Sequence, residues 1–164
     1  MFTKFFYQSL AYVLGCANSY EFQAKAHNGE IRTVSSNLHK VMEDFDTAIN
    51  NPTNASKTSS FNSGVVFGSN DTPASKDDYQ LIGDHFTTFV STVAKRFDPD
   101  LCTTTITYTL TNTGDTAFTI KEVGVFVAPY YLYLVYRQVL DSPVTIQPNG
   151  IGQVTLTFKV NVPE

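Results

Sequence analysis

Residues 103–115 read TTTITYTLTNTGD. In an extended chain Ile106, Tyr108 and Leu110 point one way, and Thr105, Thr107, Thr109 and Thr111 point the other. Such period-two alternation marks a strand with one buried face. Threonine suits it, because β-branched side chains pack well on a pleated surface. Asn112-Thr113-Gly114-Asp115 then reads as a hairpin turn, since Asn and Gly accept the backbone angles that tight turns need.

The same strand-and-turn pattern extends on both sides. Toward the C-terminus, residues 117–127 form the next expected strand, with Phe118 and Ile120 inward and with Glu122 and Gly124 interrupting the pattern. Ala128-Pro129 turns the chain, and residues 130–140 form a strand carrying Tyr130, Tyr131, Tyr133 and Tyr136. Alternation there pairs Tyr131 with Tyr133 on one face and Tyr130 with Tyr136 on the other. Asp141-Ser142-Pro143 follows, then Val144 and Ile146, and Pro148-Asn149-Gly150 makes a tight turn. Val154, Leu156, Phe158, Val160 and Val162 alternate in a last strand. Toward the N-terminus, residues 86–97 form a long strand, with Phe89, Val93 and Phe97 on one face and Phe86, Val90 and Ala94 on the other. Asp98-Pro99-Asp100 ends it. Gly64–Gly68 (GVVFG) is a short apolar run, followed by a turn-rich loop over 69–78. Short strands at this spacing predict a mainly β chain built as an antiparallel β-sandwich, jelly-roll or immunoglobulin-like.

The first third is different, and carries one or two short helices. Phe2, Phe5, Phe6, Ser9, Leu10, Val13 and Leu14 share a helical face over residues 2–14, stopped by Gly15. Tyr20, Phe22, Ala24 and Ala26 alternate before His27-Asn28-Gly29, with Ile31 and Val34 after it, which signals a hairpin over 18–34. Leu38, Val41, Met42, Phe45, Ala48 and Ile49 give a second helix over 36–50, with Ser35 or Ser36 as its cap and Asn50-Asn51-Pro52 as its end. The expected organisation is therefore an N-terminal helical and extended segment over 1–50, a loop or linker over 51–63 (NPTNASKTSSFNS), and a β-sandwich domain over 64–164.

The chain has 164 residues, 42% hydrophobic and 16% charged, with a net charge of −4. That is enough chain to bury a core unaided and too apolar for disorder. Its eleven Lys and Arg are scattered, so no face stands ready to neutralise phosphates. The expectation is no nucleic acid and no membrane as partners: no run is long enough to span a bilayer. Residues 1–15 resemble a leader only superficially, because Gln8 and Ser9 interrupt the apolar run, although Gly15-Cys16-Ala17 leaves a lipoprotein-type signal open. Cys16 and Cys102 make no disulfide framework and read as two free thiols, their pairing left open. Asn54-Ala55-Ser56 and Asn70-Asp71-Thr72 match glycosylation sequons, which arise by chance in a chain so rich in Asn, Ser and Thr.

A search for chemistry finds no GxGxxG, P-loop, GxSxG or HExxH. His27, His39 and His85 lack neighbours at metal-ligand spacing. Asp77 with Asp78, and Asp98 with Asp100, read as turn residues rather than calcium ligands, with too few oxygens around them. The expectation is a non-enzymatic protein with no catalytic residues, no cofactor and no metal. Two charges stand out: Glu122 and Arg137 each sit inside an apolar strand, where a lone charge is costly, so they either pair with each other or face water. Phe2, Phe5, Phe6 and Leu10, with Tyr130, Tyr131, Tyr133 and Tyr136, are candidate subunit contacts, because aromatic rings dominate interface cores. A standard interface buries about 1,600 Å².

Four stretches carry a resemblance: GVVFGSNDTP (64–73), DDYQL (77–81), YTLTNTGDTAFTIKEVGVF (108–126) and LVYRQVLDSPVTIQPNG (134–150). In this order they resemble small virion structural proteins of tailed bacteriophages and prophages. The likeness covers about half the chain, and Asn149 stands where Pro directly before Gly is expected. It implies a structural component of the particle (tail, baseplate, fibre or capsid surface), made in the host cytoplasm and residing in the virion. The partners implied are copies of itself and other virion proteins. The alternative from a different class is a tip module that binds a host-surface glycan or protein.

Overall fold

In the computed structural model, residues 1–7, 21–35, 38–52, 63–99, 101–128 and 131–159 are described. The elements run β1 (Glu21–Lys25), β2 (Ile31–Ser35), α1 (Leu38–Ile49), β3 (Gly64–Gly68), β4 (Phe89–Asp98), β5 (Thr103–Asn112), β6 (Phe118–Val127), β7 (Tyr133–Ile146) and β8 (Ile151–Lys159). Residues 4–7 are also helical. Over the described residues the protein is mainly β, with two short helical segments and antiparallel sheets that are separate rather than closed.

Two compact units divide the chain, one of Met1–Thr87 with Ile120–Pro143, the other of Thr88–Thr119 with Val144–Glu164. This differs from the division expected at 51–63. The chain passes between units just before β4, between Thr87 and Thr88, and again inside β6 and inside β7.

The second unit holds the sheet β4-β5-β8, with β5 in the centre. Its register places Val93 and Val154 opposite Tyr108, and Leu156 opposite Ile106. Ile106, Tyr108, Leu110, Val154 and Leu156 are buried, which is what the alternation requires of one face. On the other face threonines meet across strands: Thr107 and Thr155 hydroxyls lie 3.3 Å apart, and Gln153 donates to Thr109 at 3.1 Å. At the end of β5 the buried Asn112 side chain donates to the Thr116 and Ile146 carbonyls at 2.8 and 3.1 Å and accepts from the Gly114 amide at 2.9 Å. Every hydrogen of its amide group is used, as a buried amide requires. Nearby, Gly150 N–H bonds the Gln147 carbonyl at 2.8 Å with Asn149 at φ 58°. Pro before a left-handed residue is the type II turn signature, and Asn is among the few non-glycine residues that tolerate that angle.

The first unit holds the hairpin β1-β2, helix α1 and the sheet β3-β6-β7. The hairpin turns at Gly29, whose φ is 85°. Ala48 and Ile49 of α1 are buried, and the Asn50 side chain donates to the Asp46 carbonyl at 2.8 Å, closing the helix end. β3 and most of β6 are buried on both faces, so the alternation that identifies β5 is absent there. Val66, Leu81, Phe126, Leu132 and Leu134 form one cluster on this sheet. Gly124 is what lets them close up, since a Cβ there would lie 2.8 Å from Leu81 Cδ2.

Three expectations about elements need correction. Residues 1–3 are extended, not helical: Phe2 bridges Tyr136, Thr3 N–H bonds the Val135 carbonyl, and Arg137 N–H bonds the Met1 carbonyl. The segment adds itself to the outer side of β7, which satisfies backbone groups a helix would leave open. Residues 8–14 of the expected helix, with Leu10, lie outside the described residues. β7 begins at Tyr133 rather than 130 and continues through Pro143, because it is an outer strand, where a missing N–H is tolerated. Phe86 lies before β4 rather than in it, its N–H bonded to the Phe67 carbonyl.

Burial pushes the Tyr108 phenol well above its usual range. Below pH 10 both folded and unfolded chains keep that proton; above it only the unfolded chain releases it, so stability falls as pH rises. The unfolding free energy from urea titrations at pH 8 to 11 should drop by up to about 1.4 kcal/mol per pH unit beyond pH 10 from this group. Tyr108→Phe should flatten that slope.

Candidate functional site

Glu122 and Arg137 come from adjacent strands, β6 and β7, and both are 0% exposed. A carboxylate in that position cannot be solvated, so the strands must supply its partner. Arg137 Nε donates to Glu122 Oε2 at 2.8 Å, and the Gly83 amide donates to Oε1 at 3.1 Å. The rest of the guanidinium reaches the loop after β3: Nη1 to Asp78 Oδ2 at 2.8 Å and the Pro73 carbonyl at 3.3 Å, Nη2 to the Thr72 carbonyl at 2.9 Å. Burial works against its charge, but the bonds to Asp78 and Glu122 together outweigh that and raise its pKa above the usual value.

These bonds explain how the long connection between β3 and β4 holds a shape. Structureless loops beyond about 12–15 residues are uncommon unless something ties them. Here Ser69 N–H bonds the Asp84 carbonyl, the Asp84 amide bonds Ser69 Oγ, and Gly68 bridges His85, so the loop returns along β3. Asp78 Oδ2 also accepts from the Ser75 amide at 2.7 Å, and Asn70 Oδ1 from the Thr72 amide at 2.7 Å. Two glycines make the space. A Cβ on Gly68 would lie 2.6 Å from Glu122 Oε1, and one on Gly83 would lie 2.7 Å from the Asn70 nitrogen.

Beside this cluster a cleft of about 420 Å³ opens in the same unit. Phe5, Ala24 and Leu134 contribute apolar lining; Lys4, Lys25, Lys76, Asp77, Asp78 and Tyr79 contribute charge and a ring. Lys25 Nζ sits 3.8 Å from the centre of the Tyr79 ring. Lys76 pairs with Asp77 at 3.0 Å, and its carbonyl accepts from the Lys4 amide at 2.6 Å. Asp78 therefore belongs to both features, joining the buried guanidinium to the cleft wall.

The candidate contact residues fare unevenly. Phe5 stacks on Tyr133 at 4.4 Å with planes 5° apart, and both are buried in their own unit. Phe2 stacks on Phe6 at 4.1 Å and meets Tyr136 edge-on at 5.1 Å, with Phe45 of α1 6.4 Å away. Phe5, Tyr133 and Tyr136 are thus buried by packing within their own chain. Tyr131 stays at the surface under Arg32 and precedes β7, so it does not share a strand face with Tyr133. Tyr130 lies outside the described residues. Asp78 was legible only as a turn residue, and the Thr72 and Pro73 carbonyls carry no sequence signal at all. Cys102 is a free thiol. Among the described residues no group of His, Cys, Asp and Glu could hold a metal, and no helix is long and apolar enough to cross a membrane. Comparison with family models, curated proteins and solved structures returned no match.

Arg137→Met should cost about 3–5 kcal/mol in denaturant unfolding, because it strands two carboxylates. Gly68→Ala should also destabilise the fold, by pressing on Glu122. In a double-mutant cycle with Glu122→Ala the double variant should lose less than the sum of the two single losses.

Proposed function

We propose that this chain is a non-enzymatic structural subunit of a bacteriophage particle, working through protein–protein contacts with copies of itself and other virion proteins. The observation that carries the reading is the set of large apolar side chains left at the surface of the second unit. Phe97 is 65% exposed, Leu101 61%, Val90 60% and Ile151 70%. They fall in two places. Phe97, next to last in β4, lies on the same face as the half-buried Phe158, across Thr104, and Leu101 lies in the adjoining turn. Val90 and Ile151 flank Thr111 on the opposite face. Exposed apolar groups in a charge-poor chain are what subunit contacts leave behind when the partner is removed. The outer strands β4 and β8 add further pairing capacity.

The resemblance over residues 64–150 supports a phage particle as the setting. The fold that goes with this reading is a β-sandwich, jelly-roll or immunoglobulin-like, and the one-sided apolar face of β4-β5-β8 supports it. A recognition module at a particle tip is the second reading, favoured by the lysine-rimmed cleft in the first unit.

Sedimentation velocity over a concentration series tests the first reading. The wild-type chain should associate, and Phe97→Ser with Leu101→Ser should hold it as a single copy with an unchanged circular dichroism spectrum. Burying each such side chain is worth about 1.5–3 kcal/mol, so losing two should be visible directly. A wild-type chain that stays single at every concentration removes the self-assembly reading.

A further inference from the structure

We propose that the cleft beside the Arg137 cluster is a binding site for an acidic sugar, a single ring carrying a carboxylate. This deepens the second reading above and does not depend on assembly.

Charge is the first argument. The protein carries a net −4, yet in this one cleft three lysines, Lys4, Lys25 and Lys76, outnumber the two carboxylates, Asp77, which pairs with Lys76, and Asp78, which bonds Arg137. Lys25 is held in place by the Tyr79 ring, 3.8 Å away, so part of the ordering cost of gripping an anion is met beforehand. The second argument is the acceptors on the same rim. Asp77 and Gln23 would repel or ignore a bare anion, but they suit the hydroxyl donors of a sugar. The third is shape. A volume of about 420 Å³ falls in the usual range for small-molecule sites, and Phe5, Ala24 and Leu134 give the ring an apolar surface. Finally, the wall is fixed. Lys76, Asp77, Asp78 and Tyr79 lie on the loop that Arg137 ties down through Asp78 and the Thr72 and Pro73 carbonyls. A site whose walls are held by buried bonds keeps its geometry when empty.

Titration of the isotope-labelled chain with glucuronate, followed by amide NMR shifts, tests the assignment. Glucose, acetate and a short poly-glutamate peptide serve as comparison probes. Glucuronate should shift amides around Lys4, Gln23–Lys25 and Lys76–Tyr79, with glucose and acetate each at least about tenfold weaker, a difference of about 1.4 kcal/mol. Lys25→Gln and Lys76→Gln change exposed side chains; each should keep the fold by circular dichroism and weaken glucuronate by a similar factor. The proposal falls if glucuronate causes no saturable shift, or if acetate or the peptide binds as well. It also falls if both lysine variants bind undiminished. Saturable sugar shifts that map elsewhere on the chain overturn this cleft as the site while leaving a recognition role standing.

Discussion

A guanidinium sealed from water is the constraint around which the first unit is arranged. Arg137 has five N–H donors and no way to discard its charge. The chain answers with two carboxylates, Glu122 from the next strand and Asp78 from the loop, and with two loop carbonyls. Such a cluster adds little net stability over a well-packed apolar core, because desolvation offsets most of the attraction. Its weight lies in specificity. The loop's path brings Thr72, Pro73 and Asp78 to the guanidinium together, and a glycine at 68 leaves room for the Glu122 carboxylate.

Asn112 performs a neutral version of the same task in the second unit. One buried amide ties the end of β5 to the turn after it and to the end of β7. Both units thus use a single buried polar side chain with several bonds to hold irregular backbone in place. A half-satisfied group of either kind would cost more than an apolar one, so all of the bonds must form together.

Much of the β architecture was legible in the sequence, for a physical reason. β5 and β8 have one wet face, so hydropathy alternates and the register follows. β3 and β6 are covered on both sides and carry no such alternation, yet their glycine borders and apolar content still mark them as strands. The N-terminal segment misled because Phe2, Phe5 and Phe6 sit at helical spacing while residues 1–3 follow the edge of β7 instead. Tertiary hydrogen bonds decide that segment, and spacing cannot report them. Glu122 and Arg137 stood out as charges in apolar strands. Their third partner did not, because Asp78 sits in a loop where acidic residues are ordinary. The tyrosines illustrate the same limit: composition announces aromatic contacts but does not say whether the partner is the chain itself, as for Tyr133 with Phe5, or something outside it.

Assembly and recognition make different demands, and the two units carry features suited to each. The second offers apolar side chains and open strand edges; the first offers a shaped, charged cleft with fixed walls. Both readings rest on loop and strand positions set by buried polar bonds. Amide hydrogen exchange of Arg137→Met against the wild-type chain tests that dependence most directly. The account predicts that protection at Ser69, Ser75, Gly83 and Asp84 is lost while the β4-β5-β8 amides keep theirs. Unchanged protection across residues 69–84 would contradict it.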